Sequence, residues 1–356
     1  MADTTGEMRI MAPDLKAFAV ELLKKVGVPQ NEAQQVADVL VLADLRGVDS
    51  HGVARLSNYV VAIEKGYVKP KAEVKVVSDW PSIALVDGCD SLGQVVGIQA
   101  MKLAMDKAEK TGCASVTVTN SRHYGIAGYY AMMALERDMI GLSVTNSRPW
   151  VVPTFGSKAI LGTNPIAVAV PAGEEKPWVL DMATSAIPIG KVEVAKRLGK
   201  PLRDGTAVDN KGQVTRNPDD VYAGGGLLPL GGMAETAGYK GYDLSVLVDI
   251  LSGVLSGASY SATISNVWGV SAIGHFFMAM RIDAVRPAAE FKAMMDQMIR
   301  DLRNSPKAEG QDRIFVAGEP EFEAQARREQ EGIVLPSKVA DDLKGMAARL
   351  GVQVPA

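Results

Sequence analysis

Cysteine is nearly absent: Cys89 and Cys113 are the only two in 356 residues. No CxxC pair and no Cys/His cluster occurs, so neither a structural zinc site nor a disulfide framework is signalled. Two buried thiols in a reducing compartment are the expectation. Histidine is scarce too, with three in the chain, so the surroundings of each can be weighed. No GxGxxG follows a strand-like run, which removes the usual dinucleotide-binding fingerprint. GxxxxGK[ST], HExxH and GxSxG are missing as well. An excess charge of one sign is also lacking: 38 Lys+Arg are interspersed with 41 Asp+Glu, for a net charge of -3. Without a basic stripe or tail, neither nucleic acid nor a membrane surface is an expected partner. The charge-free run Leu251–Met280 is too rich in Ser, Gly, Thr and Asn to span a membrane. It reads as buried helix plus strand. Met1–Arg9 is polar and acidic, unlike a signal peptide, and a cytoplasmic location is expected.

What is present is a long, moderately apolar chain. Its 356 residues, 47% hydrophobic, are enough for about two domains and a large core. The first 70 residues read as helical. Leu15, Phe18, Ala19, Leu22, Leu23 and Val26 recur at helical spacing, with Asp14 as a cap and Gly27 and Pro29 as the stop. Asn31 is read as the cap of a second helix ended by Gly47. Asp49 or Ser50 opens a third that runs to Gly66. After Pro70, β-branched runs alternate with helical stretches. The runs are 74–77, 83–86, 115–118, 142–145, 166–170 and 178–180, and helices are read at 92–110 and 126–137. That alternation predicts a layered α/β unit over residues 71–286. From Pro287 the chain is helical again, at 288–302, 319–331 and 338–350. The segments 1–70 and 287–356 are expected to pack together as one smaller helical domain.

Several short stretches carry residues suited to chemistry. In Asp49–Arg55, Ser50 suits a helix N-cap, with His51 in the first turn and Arg55 four residues on, on the same helix face. A guanidinium holds a carboxylate bidentately, and an imidazole exchanges a proton with a neighbouring oxygen. A capped helix with solvated His51 and Arg55 fits the same spacing. Asn120–Gly128 follows a strand and precedes a helix, where α/β sites cluster, which makes His123 a second acid/base candidate. A glycine-rich turn with a surface histidine is the plain alternative. Thr145–Pro149 and Leu161–Pro165 are polar turns able to meet an amide, ribose or phosphate, or simply to turn. Asp181 ends a strand where it would orient a histidine or meet a ribose, or only cap a helix. The helix start near Ile189 and Lys240, beside a glycine, could each meet phosphate. His275 lies in an apolar strand-like run and reads as a core histidine.

Taken together, these segments resemble the malate/L-lactate dehydrogenase family, the type distinct from the common Rossmann lactate and malate dehydrogenases. That family also contains ureidoglycolate, sulfolactate and diketogulonate oxidoreductases and cyclic-imine reductases. The resemblance covers nearly the whole chain. It rests on DSHGVAR at 49–55, NSRHYGIAGYY at 120–130, LGTNPIA at 161–167, DMATS at 181–185, GYKGYDLSVLVDILSGVLSGA at 238–258 and GHFFMAM at 274–280. It implies a non-Rossmann α/β fold with a mixed sheet, a homodimer, and NAD or NADP as cofactor.

By motif, the resemblance implies active-site roles for His51 and His123, whose assignments differ between members, and a substrate-carboxylate role for Arg55. Ser50, Thr163 and Asn164 fall at substrate positions. Ser147, Asp181, Met182, Ala183, Lys240, Gly318 and Glu319 fall at cofactor positions. Ala317 stands where the family usually has proline, and Gly156-Ser157 where a Gly-Gly pair is common. The expected reaction is hydride transfer between nicotinamide and a 2-oxo/2-hydroxy acid such as malate or lactate. His123 is preferred as the direct acid/base because its loop follows a sheet strand. The alternative is a reductase of a cyclic imino carboxylate.

Overall fold

The structure, a computed structural model, describes residues 7–269 and 271–355; most of the polar N-terminal stretch lies outside them. β1 (Met8–Ile10) leads into α1 (Ala12–Lys25), α2 (Gln30–Leu45) and α3 (Leu56–Glu64). α1 begins before Asp14 because Pro13 is tolerated in a first turn, where its missing N–H has no partner to lose. α2 likewise begins at Gln30 behind Pro29, so Asn31 is inside the helix and caps nothing. The expected third helix from Asp49 is instead two 3-10 turns, Asp49–His51 and Val53–Arg55, broken at the extended Gly52.

The sheet is built from seven strands. β2 (Lys75–Asp79) and β3 (Ile83–Asp87) precede α4 (Gly93–Thr111), which returns to β4 (Cys113–Ser121). α5 (Ala127–Met133) then leads to β5 (Met139–Thr145), β6 (Ile166–Val170) and β7 (Trp178–Met182). After a small lobe comes α8 (Gly238–Asp249), and β10 (Ile273–Arg281) completes the sheet. The lobe holds α6 (Ile189–Leu198), β8 (Ala207–Val208), α7 (Pro218–Tyr222) and β9 (Gly226–Leu227). The chain closes with α9 (Ala288–Asn304), α10 (Glu319–Glu331), β11 (Ile333–Leu335) and α11 (Ser337–Leu350).

The sheet order is β2-β3-β4-β10-β5-β6-β7. Only β3 and β4 run parallel, through the α4 crossover; the other pairs are antiparallel. The mixed, non-Rossmann α/β class expected above is therefore correct. Alternation along β10 gives each face its own cover. Phe277 and Ala279 face α4 and α5, in a core with Met101, Val116, Val118 and Tyr130. Gly274 faces the other way, where a Cβ would strike the Ser252 carbonyl of the π-turn that continues α8.

The two chain ends meet in a second core. β1 pairs antiparallel with β11, and Leu15, Leu22 and Leu40 pack with Leu343 and Met346. α9 does not join them: its Phe291, Met295 and Ile299 pack on Val170 and Trp178 at the β6–β7 edge of the sheet. The lobe has a core of its own around Val151, Leu161, Val192 and Leu227. No described helix is long and apolar enough to cross a membrane. Neither thiol is buried as expected: Cys113 is exposed at the start of β4 and Cys89 half-buried, and both are free.

His275 is 0% exposed in the sheet core. Nδ1 lies 2.7 Å from the Thr145 hydroxyl and Nε2 lies 2.8 Å from that of Ser121. The Tyr124 ring stacks on it at 4.4 Å. Burial pushes its pKa from 6.5 down to about 3. An unfolded chain takes up this proton near pH 6.5, the native protein only near pH 3. The stability is therefore intact above pH 6.5 and lost as pH falls. Between pH 7 and 5 the loss from this one group should be about 2 kcal/mol. Comparing the pH slope of denaturant midpoints for His275→Gln and the parent tests it: equal slopes would contradict the assignment.

Candidate active site

A cleft of about 770 Å³ runs between the helical core, the C-terminal ends of β5 and β7, and the lobe. His51 and His123, far apart in sequence, meet in it. Their rings stack with centroids 5.6 Å apart and an 18° interplanar angle. His123 follows β4, as the strand-to-loop reading required, and Trp268 covers it at 4.5 Å. Its Nδ1 lies 2.7 Å from the Tyr59 hydroxyl of α3 and 3.3 Å from the Gly125 amide. The hydroxyl can accept from a protonated Nδ1 or donate to a bare one, so Nδ1 keeps a partner while Nε2 is left to exchange a proton in the cleft. The hydroxyl of Tyr59 is held neutral by burial, which raises its pKa, and it remains a donor.

Both imidazoles are held neutral. Burial first, and the Arg55 charge second, push His51 to about 4. Burial also drives His123 well below 6.5, helped by the neighbouring His51 and by Arg55. No α-helix begins at His51, so no helix dipole contributes. His51 Nδ1 instead lies 2.9 Å from the Ser50 hydroxyl.

The turn carrying His51 and Arg55 is pinned from below. Asp44, 1% exposed at the end of α2, accepts from the Val53 amide at 2.8 Å. Burial lifts this carboxyl to about 8 against that hydrogen bond. Gly52 lies directly over it, and a Cβ there would fall on the carboxyl. That contact keeps His51 and Arg55 off a common helix face. Arg55 Nε donates to the Ser50 carbonyl at 2.6 Å, leaving its terminal nitrogens free for a ligand. From α10, Arg328 donates to the Asp44 carbonyl at 2.5 Å and pairs with Asp49.

Along the cleft, Ser147 and Thr163 sit together, the Ser147 hydroxyl accepting from the Thr163 amide at 3.1 Å. Asp181, Met182, Ala183 and Gly318 line the same wall. The Asp181 side chain meets cleft solvent yet is enclosed by protein on its other sides. That partial desolvation raises it to about 6, against the Gly128 amide and the Arg46 charge. Gly128 donates to it at 2.8 Å, and a Cβ at Gly128 would come within 2.7 Å of the carboxylate. Asp181 bonds to neither histidine, so the histidine-orienting alternative fails and Tyr59 fills that place.

Three sequence-selected residues do not line the cleft. Asn164 is 0% exposed and fully engaged. Its Oδ1 accepts from the Ser147 amide at 3.1 Å and its Nδ2 donates to the Ser245 carbonyl at 2.9 Å. Glu319 turns away to pair with Arg303 and Arg313. Lys240 stands exposed on the first turn of α8. Sequence reasoning missed Arg46, Tyr59, Trp268 and Asp44. Arg46 lines the cleft, stacks 4.6 Å over Phe322, and keeps a buried Nη1 with no partner. The one signal for it was a charged residue at the end of an apolar helix. No group of described residues forms a metal-binding cluster.

Nearly the whole chain has relatives among known proteins. Residues 10–344 match the family described as malate/L-lactate dehydrogenase. A malate dehydrogenase of Pyrococcus abyssi is 49% identical over 97% of this chain and 96% of its own. An L-sulfolactate dehydrogenase of Methanocaldococcus jannaschii is 37% identical over 95% and 96%. The structure of malate dehydrogenase from Pyrococcus horikoshii superposes with a TM-score of 0.92 at 46% identity, covering 100% of this chain and 99% of that one. A Δ1-piperideine-2-carboxylate reductase from Pseudomonas syringae pvar. tomato reaches 0.85 at 28% identity, covering 96% and 100%. With two imidazoles and a guanidinium converging in one cleft of a mixed-sheet fold, and a family match along nearly its whole length, the chain belongs to the malate/L-lactate dehydrogenase family.

Proposed function

We propose that this cleft interconverts a 2-oxo acid and its 2-hydroxy acid with NAD or NADP. The observation that carries the reading is the stacked His51–His123 pair beside the free guanidinium nitrogens of Arg55. Arg55 takes the substrate carboxylate, and the Ser50 and Thr163 hydroxyls border it. His123 exchanges a proton with the C2 oxygen through Nε2, with Tyr59 fixing the ring. His51 closes the other side of the ring pair. The relatives named for malate and sulfolactate act on acids of this class.

The cofactor has room and suitable partners. Gly128 and Gly318 leave space where a Cβ would crowd Asp181 and Val179. The buried, unpaired Nη1 of Arg46 offers an anion a donor. Asp181, Met182, Ala183, Ser147 and Gly318 would hold the dinucleotide, with Arg46 near its phosphates. When bound, the nicotinamide supplies or accepts the hydride at substrate C2. Asn164 supports Ser147 and Glu319 supports the Gly318 turn, each from behind. Lys240 stays in this reading as a cofactor residue only through the dimer. Leu247, Ile250 and Val254, on one face of α8 and its π-turn, are 46%, 46% and 63% exposed, an apolar ridge suited to a second copy. Light scattering on Leu247→Asp would read its loss.

A spectrophotometric panel of 2-oxo acids with NADH and NADPH tests the function. Turnover of at least one pair is expected. The Pseudomonas syringae likeness favours a second reading, reduction of a cyclic imino carboxylate, in which Arg55 and His123 keep their roles. Turnover of Δ1-piperideine-2-carboxylate with none of any 2-oxo acid would select it.

A further inference from the structure

Arg148 is a second guanidinium at the substrate end of the cleft, and the sequence motifs assign it nothing. It lies in the polar turn after β5, next to Ser147, whose amide and hydroxyl are both tied down. Its guanidinium rests 4.3 Å over the Trp150 ring, so its direction is set before any ligand arrives. Arg148 and Arg55 line the same cleft; burial lowers the Arg148 pKa, and the charge of Arg55 adds to it. Among the described residues, neither makes an ion pair. Glu193, at the start of α6, also faces Arg148 across the lobe side of the cleft. It offsets part of the charge without coming into contact.

Two like charges held together in a half-enclosed space repel, and a ligand with two anionic groups removes that cost. A 2-oxo acid has one carboxylate, and Arg55 takes it. We infer that Arg148 reads a second acidic group at the far end of the substrate side chain, so the protein selects a dianionic 2-oxo acid over one with a neutral side chain. This rests on the reading of the cleft given under the proposed function. Arg148 is a specificity residue, and the second anionic group passes through the reaction unchanged.

The test compares kcat/KM for oxaloacetate and pyruvate with the same reduced nicotinamide, in the parent, Arg148→Gln and Arg148→Lys. The parent should favour oxaloacetate. Arg148→Gln should reduce the oxaloacetate-to-pyruvate ratio by roughly 10–100-fold, mainly through KM. Arg148→Lys, which keeps the charge and loses the fork, should fall between. Fluorescence titration with NADH checks that the variants still fold and bind cofactor. An unchanged ratio in Arg148→Gln, or equal use of the two acids by the parent, overturns the inference and leaves the proposed function standing. If no 2-oxo acid of the wider panel is reduced with either NADH or NADPH while the cofactor still binds, both fall.

Discussion

Replacing His123 by alanine is expected to lower kcat/KM for 2-oxo acid reduction by roughly 10²–10⁴-fold, the usual loss for a positioned proton carrier. Cofactor binding should persist, because no cofactor position depends on that ring. The effect belongs to the ring and its orientation together. Tyr59→Phe removes the hydroxyl 2.7 Å from Nδ1 and should cost roughly tenfold or more. Nδ1 of His123 would then keep only the longer contact from the Gly125 amide. The pH profile gives an independent reading. His51 is pushed to about 4 and His123 well below its usual value, so both stay neutral bases in moderate acid. Oxidation of the 2-hydroxy acid, which needs a base, should keep its kcat/KM well below pH 6.5. A fall centred near pH 6.5, or a His123→Ala enzyme with more than a tenth of parental activity, would move the proton-carrying role elsewhere in the cleft.

Gly52→Ala is expected to damage stability and catalysis together. The added methyl would fall on the Asp44 carboxyl, which is 1% exposed and has little room to yield. Overpacking of this kind costs roughly 1–3 kcal/mol. The turn can relieve it only by lifting, which displaces His51 and Arg55 on either side of residue 52. A misplacement near 1 Å of such groups costs on the order of 100-fold in rate. Chemical denaturation and steady-state kinetics read the two losses separately. Adding Asp44→Ala to the same chain removes the clashing group and should return part of both. If the double variant is worse than either single one, the Asp44–Val53 hydrogen bond outweighs the clash.

The periodic parts of the fold could be read from the sequence because they depend on near neighbours. The β6 run 166–170 and the helix 319–331 were placed with their observed ends. The turn at 49–55 could not be, since what breaks it is Asp44 under Gly52, a contact made by tertiary packing. The lobe was also hidden. Its strands β8 and β9 are two residues each, too short for any alternation to show. At the site, His51, His123 and Arg55 stood out through rare residue types in recognisable strings. Tyr59 and Trp268 did not, because an aromatic residue in a helix or loop carries no mark of the ring it will touch. Asn164 shows the converse: its motif was visible, but the use of every polar atom of its side chain by backbone and serine partners was not.

The place of β10 sets the order in which the molecule can be made. Its Phe277 lies opposite Val116 on one side and Ser143 on the other, so the strand at the middle of the sheet is the last of the seven to leave the ribosome. Until then β4 and β5 each present an unpaired edge to solvent or to another nascent chain. Such distant pairing folds slowly and exposes sticky intermediates. Truncations ending before residue 273 should therefore aggregate, since they cannot join the two halves of the sheet.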